Sequence, residues 1–215
     1  MVVDKMEAIE ISEIIDNLKQ KRGSFHSSPC QTDEEFLVIA DIVQKCNHLH
    51  GEFAEIGAYE GFTSEFILRL KNKDKAIFLC DTFEGLADVG DEDKSLCIPN
   101  GLLKVDFQRF NSTNDFCNNQ NVFIVKGYFP ESATAEMNRS RYAFVHIDTD
   151  TYLSTLKSLE YFYPKMVNGG IIIVHDYRNH TGTLGVKKAV DSFMIDKEDA
   201  LSARGDTTQG IITKI

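Results

Sequence analysis

The stretch 52–70, EFAEIGAYEGFTSEFILRL, constrains this chain more than any other. Phe53 to Ile56 predict a short buried strand. Gly57 and Gly61 bracket a tight turn. Phe62, Phe66, Ile67 and Leu70 then fall on one face of a helix. Strand, glycine turn and helix make the first half of a nucleotide-binding α/β unit, in which glycines admit a ligand close to the backbone and the helix N-terminus offers unpaired N–H groups. A dinucleotide fingerprint would read G-x-G-x-x-G. Here the acidic Glu55 opens an E-x-G-x-x-x-G instead. A carboxylate where a pyrophosphate would lie repels it and suits a ligand with positive charge and no phosphate.

The segments that follow repeat the α/β alternation. Ala76 to Cys80 predict a second strand ending in Asp81, where a parallel sheet grips a ribose diol, one carboxylate offering two acceptor oxygens to two hydroxyls; the plainer alternative is an Asp capping the next turn. Asn121 to Val125 predict a third strand, followed by Gly127, Tyr128 and Phe129, which suit either a flat ring pocket or the core. Ala143 to Asp148 predict a fourth, ending in Asp148-Thr149-Asp150 ahead of a helix carrying Tyr152, Leu156, Leu159 and Tyr163. Asn168-Gly169-Gly170 reads as a turn into Ile171 to Val174, a β-branched run typical of a central parallel strand, which ends in His175-Asp176-Tyr177. A helix over Thr183 to Met194 and a hairpin of Leu201 to Arg204 with Ile211 to Ile215 complete the chain. The expected fold is α/β: a Rossmann-like doubly wound, mostly parallel seven-stranded sheet with an antiparallel C-terminal hairpin and an N-terminal helical extension, in one domain over 1–215.

That extension (1–50) holds two helices. Ile11, Ile14, Ile15 and Leu18 give the first an apolar stripe. A break follows over Arg22 to Pro29. Thr32-Asp33-Glu34-Glu35 is a capping box opening the second, which runs to about Cys46. They suit a lid, a dimer surface or plain packing. Residues 84–120 are too many for a simple connection and read as a lid or substrate insertion, with a solvated acidic loop over Asp88 to Asp93 and a helix carrying Leu103, Phe107 and Phe110.

The net charge of −10 argues against nucleic acid or an anionic membrane as partner; the basic run Lys19 to Arg22 reads as a solvated helix end. Of the five cysteines, Cys46 and Cys80 sit in apolar runs as reduced core thiols, and Cys30, Cys97 and Cys117 form no C-x-x-C with them. With no apolar signal region and no run of the roughly 18 apolar residues that span a bilayer, the expected setting is cytoplasmic.

In an open parallel sheet the ligand lies at the carboxyl ends of the strands. Here those ends present Glu55, Asp81, Asp148 with Asp150, and His175 with Asp176. Clustered carboxylates raise one another's pKa, and a divalent cation relieves this. Asp148 and Asp176 suit Mg²⁺; His175 would tilt the preference toward a transition metal. The plainer alternative has both carboxylates capping helices and His175 hydrogen-bonded in the core.

The motifs D-T-F-E-G-L, G-Y-F-P, H-I-D-x-D-x-Y-x-S-T and G-G-x-x-I-V-x-D-Y, spread over residues ~50 to 195, resemble the macrocin/mycinamicin O-methyltransferase family of class I S-adenosylmethionine (SAM)-dependent enzymes. The resemblance implies a SAM site on Glu55, Gly57, Ala58, Tyr59, Gly61, Phe62, Thr63 and Ser64, on Asp81, Thr82 and Phe83, on Gly127 and Tyr128, and on Asp148. It also implies a site for Mg²⁺ or another divalent cation on Asp148 and Asp176, to which His175 is added as a candidate ligand from its own place at the strand end. Relatives often carry Asp-Asp-Tyr where this chain has His175-Asp176-Tyr177. The implied reaction is methyl transfer to a hydroxyl of a small molecule, a sugar or natural-product scaffold, with metal assistance. Asp148, Asp150 and the loop residue His180 are the candidate catalytic groups, while His146, inside a strand, reads as structural. A homodimer is compatible with exposed N-terminal helices. The alternatives are a non-catalytic SAM-fold protein and an NAD-dependent oxidoreductase.

Overall fold

The computed structural model describes residues 8–22, 31–96, 99–113, 119–179 and 183–215. Strands β1 (Glu52–Ile56), β2 (Ile77–Asp81), β3 (Val122–Lys126), β4 (Tyr142–Ile147) and β5 (Met166–Val174) pair in parallel. The hairpin β6 (Ala200–Ala203) and β7 (Gly210–Thr213) closes one edge, with β7 antiparallel to β5. The sheet order is β3-β2-β1-β4-β5-β7-β6. Connections from β1 outward in both directions place the ends of β1 and β4 side by side at the centre, where a doubly wound sheet opens its ligand crevice.

Helices cover both faces. α1 (Ala8–Arg22), α2 (Asp33–Cys46) and α3 (Phe62–Leu70) pack with one another, and α2 lies against β4 and β5. α4 (Phe107–Thr113) and the short α5 (Ala135–Arg139) flank β3 in sequence; α6 (Tyr152–Phe162) and α7 (Leu184–Met194) pack together. Strand alternation sorts the core into two clusters. Phe53 and Phe144 face Phe36, Phe66 and Ile39. Ala54, Ile56, Val145 and Ile147 face Phe162, Leu159, Val186 and Val190. The stripe of α1 belongs to the first cluster: Ile11, Ile15 and Leu18 are buried. Packing is therefore what that stripe does.

The second helix opens as its sequence predicts. Glu35 N–H donates to Thr32 Oγ1 (3.2 Å) and Thr32 N–H to Glu35 Oε2 (2.9 Å). Three expectations differ. Asn168-Gly169-Gly170 is not a turn but part of β5; the β4–β5 register slips there, and Gly169 takes φ +79° beside Leu49. Leu103 lies before α4, not on it, at φ 64°. Asp93 in the acidic loop is 1% exposed, so that loop is not simply solvated. Its Oδ1 accepts the Tyr152 N–H (2.9 Å) and its Oδ2 the Gly90 N–H (3.1 Å). Thr151 makes no side-chain cap for α6, and this distant carboxylate supplies one. No helix among the described residues is long and apolar enough to cross a membrane.

Candidate active site at the carboxyl ends of the strands

A cavity of ≈ 260 Å³ opens where the parallel strands end. It is lined by Ile56, Gly57 and Tyr59 after β1, by Asp81 and Thr82 after β2, by Gly127, Tyr128 and Phe129 after β3, and by Asp148, Thr149 and Asp150 after β4. His175 and Asp176 after β5, Ser154 and Ser158 of α6, and Gly85 to Ala87 with Leu103 from the insertion complete it. The insertion thus walls the cavity.

Asp81 stands at the tip of β2 with both oxygens pinned. Oδ2 accepts the Tyr59 N–H (2.8 Å) and Oδ1 the Phe83 N–H (2.7 Å). Both donor residues sit at positive φ (48° and 57°), a conformation no local sequence signal announces. Each oxygen keeps a lone-pair direction for a further donor, so the residue fits a ribose diol. Burial raises its pKa; the Phe83 and Tyr59 N–H groups oppose the rise, and the charges of Glu55 and Asp148 add to it.

Several residues implied for the cofactor lie elsewhere. Glu55 is 1% exposed and does not line the cavity; its carboxylate accepts from the Ser64 hydroxyl and meets His146 Nδ1 at 3.2 Å. Alternation explains this, because Glu55 follows Phe53 onto the α3 side of β1 while Ile56 faces the other way. The charge filter read at Glu55 therefore does not act by contact. Phe62 packs on Phe36, Thr63 donates to Gln31 Oε1 (2.7 Å), and Phe83 packs against Phe107 and Phe110. Ala58 is buried in the core and Gly61 begins α3 at φ 82°. Gly57 does line the cavity, but its missing side chain serves another neighbour: a Cβ would lie 1.8 Å from the Asp148 carbonyl oxygen. Phe129 lines the cavity and also stacks on Phe162 at 5.2 Å. His146 is fully buried, as its strand position predicts. His180, Cys30, Cys97 and Cys117 lie outside the described residues.

The β4 and β5 ends form an acidic cluster around one imidazole. His175 Nδ1 lies 3.1 Å from Asp148 Oδ1 and 3.5 Å from Asp176 Oδ1; Nε2 lies 3.6 Å from Glu35 Oε2. Gln31 Nε2 donates to Asp148 Oδ2 (2.8 Å). Glu35 Oε1 accepts from Thr208 N–H (2.9 Å) and Oγ1 (2.6 Å). Gln31 and Glu35 have no site signal in the sequence beyond the capping box, because they reach the cluster only once α2 lies across β4 and β5. Burial opposes ionisation of Asp148 and Glu35, yet the hydrogen bonds and the His175 charge override it and hold both carboxyls low. Burial likewise opposes the His175 charge, and Asp148, Glu35 and Asp176 outweigh it, holding its pKa well above the ordinary value. Asp176 is raised, by burial and by Asp148.

Asp150 shows the opposite outcome. Burial, with the charges of Asp148 and Asp176, pushes its pKa up to about 8. Unfolded, it releases its proton near the ordinary 3.8. Between those values the folded chain holds a proton that the unfolded chain has lost. Stability at Asp150 is thus fully present below pH 3.8 and falls as pH rises to about 8, by at most about 1.4 kcal/mol per pH unit. Melting temperature against pH, compared between the parent and Asp150→Asn, should show the substitution flattening that slope; parallel curves would refute it.

The Mg²⁺ that the resemblance implies does not fit this arrangement. Mg²⁺ requires oxygens at about 2.0–2.1 Å in near-octahedral geometry. The ring nitrogen of His175 faces both strand-end carboxylates, and Gln31 holds the other Asp148 oxygen. Among the described residues no three His, Cys, Asp or Glu side chains are arranged to hold a metal ion.

Residues 35–200 match the family of macrocin O-methyltransferases (TylF). The chain belongs to this family. A demethyldecarbamoylnovobiocin O-methyltransferase of Streptomyces niveus is 30% identical over 144 residues, covering 61% of this chain and 54% of that protein. The 8-demethyl-8-(2,3-dimethoxy-alpha-L-rhamnosyl)-tetracenomycin-C 4'-O-methyltransferase of Streptomyces olivaceus is 28% identical over 144 residues, covering 59% and 53%. The chain spans about half the length of the curated relatives it matches. The solved O-methyltransferase NovP superposes with a TM-score of 0.73 at 22% identity over 95% of this chain and 99% of that one, which establishes the shared fold. In this TylF-family chain, the fold shared with NovP holds a Rossmann-like sheet with a C-terminal hairpin and N-terminal helices.

Proposed function

We propose that this chain is a SAM-dependent O-methyltransferase acting on a hydroxyl of a small molecule, a sugar or natural-product scaffold. The observation that carries the reading is Asp81, a clamped carboxylate at the tip of β2, facing the strand-end cavity in a chain of the TylF family. Asp81 would hold the ribose, and Gly57, Tyr59, Thr82, Gly127 and Tyr128 would wall the cofactor. Bound SAM would supply an electrophilic methyl group on a sulfonium.

The chain's own residues supply the rest. Asp150 lines the same cavity and takes the proton of the acceptor hydroxyl; with a pKa near 8 it is a far stronger base than an ordinary carboxylate, close to the optimum for neutral pH. Asp148, fixed by Gln31 and His175, stays ionised and keeps Asp150 basic. Gly85 to Ala87 close one wall and keep water from the acceptor. Most of the acceleration is attributed to holding acceptor oxygen and methyl carbon together.

Calorimetry with SAM and with NAD, beside a radiolabelled methyl-transfer assay on sugar-bearing acceptors, tests the reading. SAM should bind and NAD should not. Asp81→Asn turns one acceptor oxygen into a donor that meets a backbone N–H, and should weaken SAM binding about tenfold or more, the worth of a charge-assisted hydrogen bond. NAD binding in preference to SAM, or an unchanged SAM affinity in Asp81→Asn, would sink the assignment.

A further inference from the structure

His175 stands at the end of β5, at the centre of the acidic strand ends. The ring is 7% exposed and enclosed on two sides by acids. Its Nδ1 edge meets Asp148 and Asp176, the residues that end β4 and begin the loop after β5, and its Nε2 edge meets Glu35 from α2. Nε2 is buried with no hydrogen-bond partner within reach, Glu35 Oε2 at 3.6 Å being the acceptor it faces.

The carboxylates are also engaged away from the ring. Asp148 Oδ2 takes the Gln31 amide, Asp176 Oδ1 takes the Asn179 amide at 3.3 Å, and both Glu35 oxygens hold donors from Thr32 and Thr208. Gln31 is itself fixed by Thr63 from α3, so the network ties α2 and α3 to the strand ends. Admitting a cation between Asp148 and Asp176 would require the ring to leave both carboxylates.

We infer that this site takes no divalent cation, and that the His175 side chain, wedged between Asp148 and Asp176 on one side and Glu35 on the other, holds the acidic strand ends together in its place. Two consequences follow. Structurally, α2 is latched to the β4 and β5 ends by a side chain instead of an ion. Chemically, and resting on the methyl-transfer reading, the acceptor needs no pair of neighbouring oxygens to chelate, so a single isolated hydroxyl suffices for delivery to Asp150.

Mn²⁺ titration followed by electron paramagnetic resonance tests the site directly, on protein stripped with EDTA and dialysed, with and without SAM. The parent chain should bind no stoichiometric Mn²⁺ at micromolar metal, and its melting temperature should be the same in EDTA and in Mg²⁺. His175→Asp should gain one Mn²⁺ site that Mg²⁺ displaces. One equivalent bound by the parent, lost in Asp148→Asn, would overturn the inference and make His175 a ligand. The parent titration decides even where His175→Asp fails to fold. It is also independent of catalysis: absence of methyl transfer would refute the proposed function and leave the metal result standing.

Discussion

Asp150→Asn should lower the rate of methyl transfer by about 10²- to 10⁴-fold, the contribution expected of a positioned general base. The substitution keeps size and planarity, so SAM affinity should stay within about threefold. What it removes is the proton acceptor. In the parent, kcat should rise with pH up to about 8, as the buried carboxyl loses its proton against the charges of Asp148 and Asp176. That rise should vanish in the variant. A purely structural Asp150 would lower kcat without reshaping the pH profile, so a parallel profile in Asp150→Asn would refute the base role even if activity fell.

Gly57→Ala should unfold the site outright. The added Cβ would meet the Asp148 carbonyl oxygen at 1.8 Å and its carbon at 2.8 Å, with the backbone already at φ +91°. Nothing there is a flexible side-chain end. Asp148 cannot move aside, because its N–H donates to Ile56 O at 2.8 Å in the β1–β4 junction. Opening that junction disturbs Gly57, Tyr59, Asp148 and Asp150 together. A loss of roughly 3 kcal/mol or more is expected, or about 6–12 °C in melting temperature for a chain of this size. Gly205→Ala is the matched control: φ is +52° with nothing within 4 Å of the added atom, leaving only the left-handed backbone cost of about 1–2 kcal/mol. Equal melting temperatures for the two variants would refute the steric account.

What could be read in the sequence was what repeats or caps locally. The strand–turn–helix at Glu52 to Leu70, the Thr32 capping box and the apolar run Ile171 to Val174 each carry their structural cause within a few residues, and each is found as read. Asn168-Gly169-Gly170 misleads because glycine pairs usually punctuate; here Gly170 sits so tightly under Val167, Met166 and Tyr142 that a side chain would not fit, and the strand continues through it. The candidate site was only half legible. Asp81, Asp148, Asp150, His175 and Asp176 announce themselves as strand-end residues and do converge on one cavity. Glu55, read with them as a strand-end residue, is buried against Ser64 and His146 instead, on the face that alternation from Phe53 gives it. Gln31 and Glu35 were invisible because their role depends on α2 crossing β4 and β5, a placement set by Phe36, Phe62 and Phe66 packing far along the chain.

The Asp93 carboxylate that caps α6 has a use beyond anchoring. The Tyr152 amide hydrogen it accepts belongs to the first turn of a helix, where no backbone partner exists. That hydrogen is shielded while the Asp93 carboxylate holds it. Gly185 of α7 lies so close that a Cβ there would fall 1.9 Å from the same carboxylate, so a side chain at 185 would push Asp93 off the helix start. The exchange rate of this single amide therefore reports release of the Asp93 carboxylate from the start of α6.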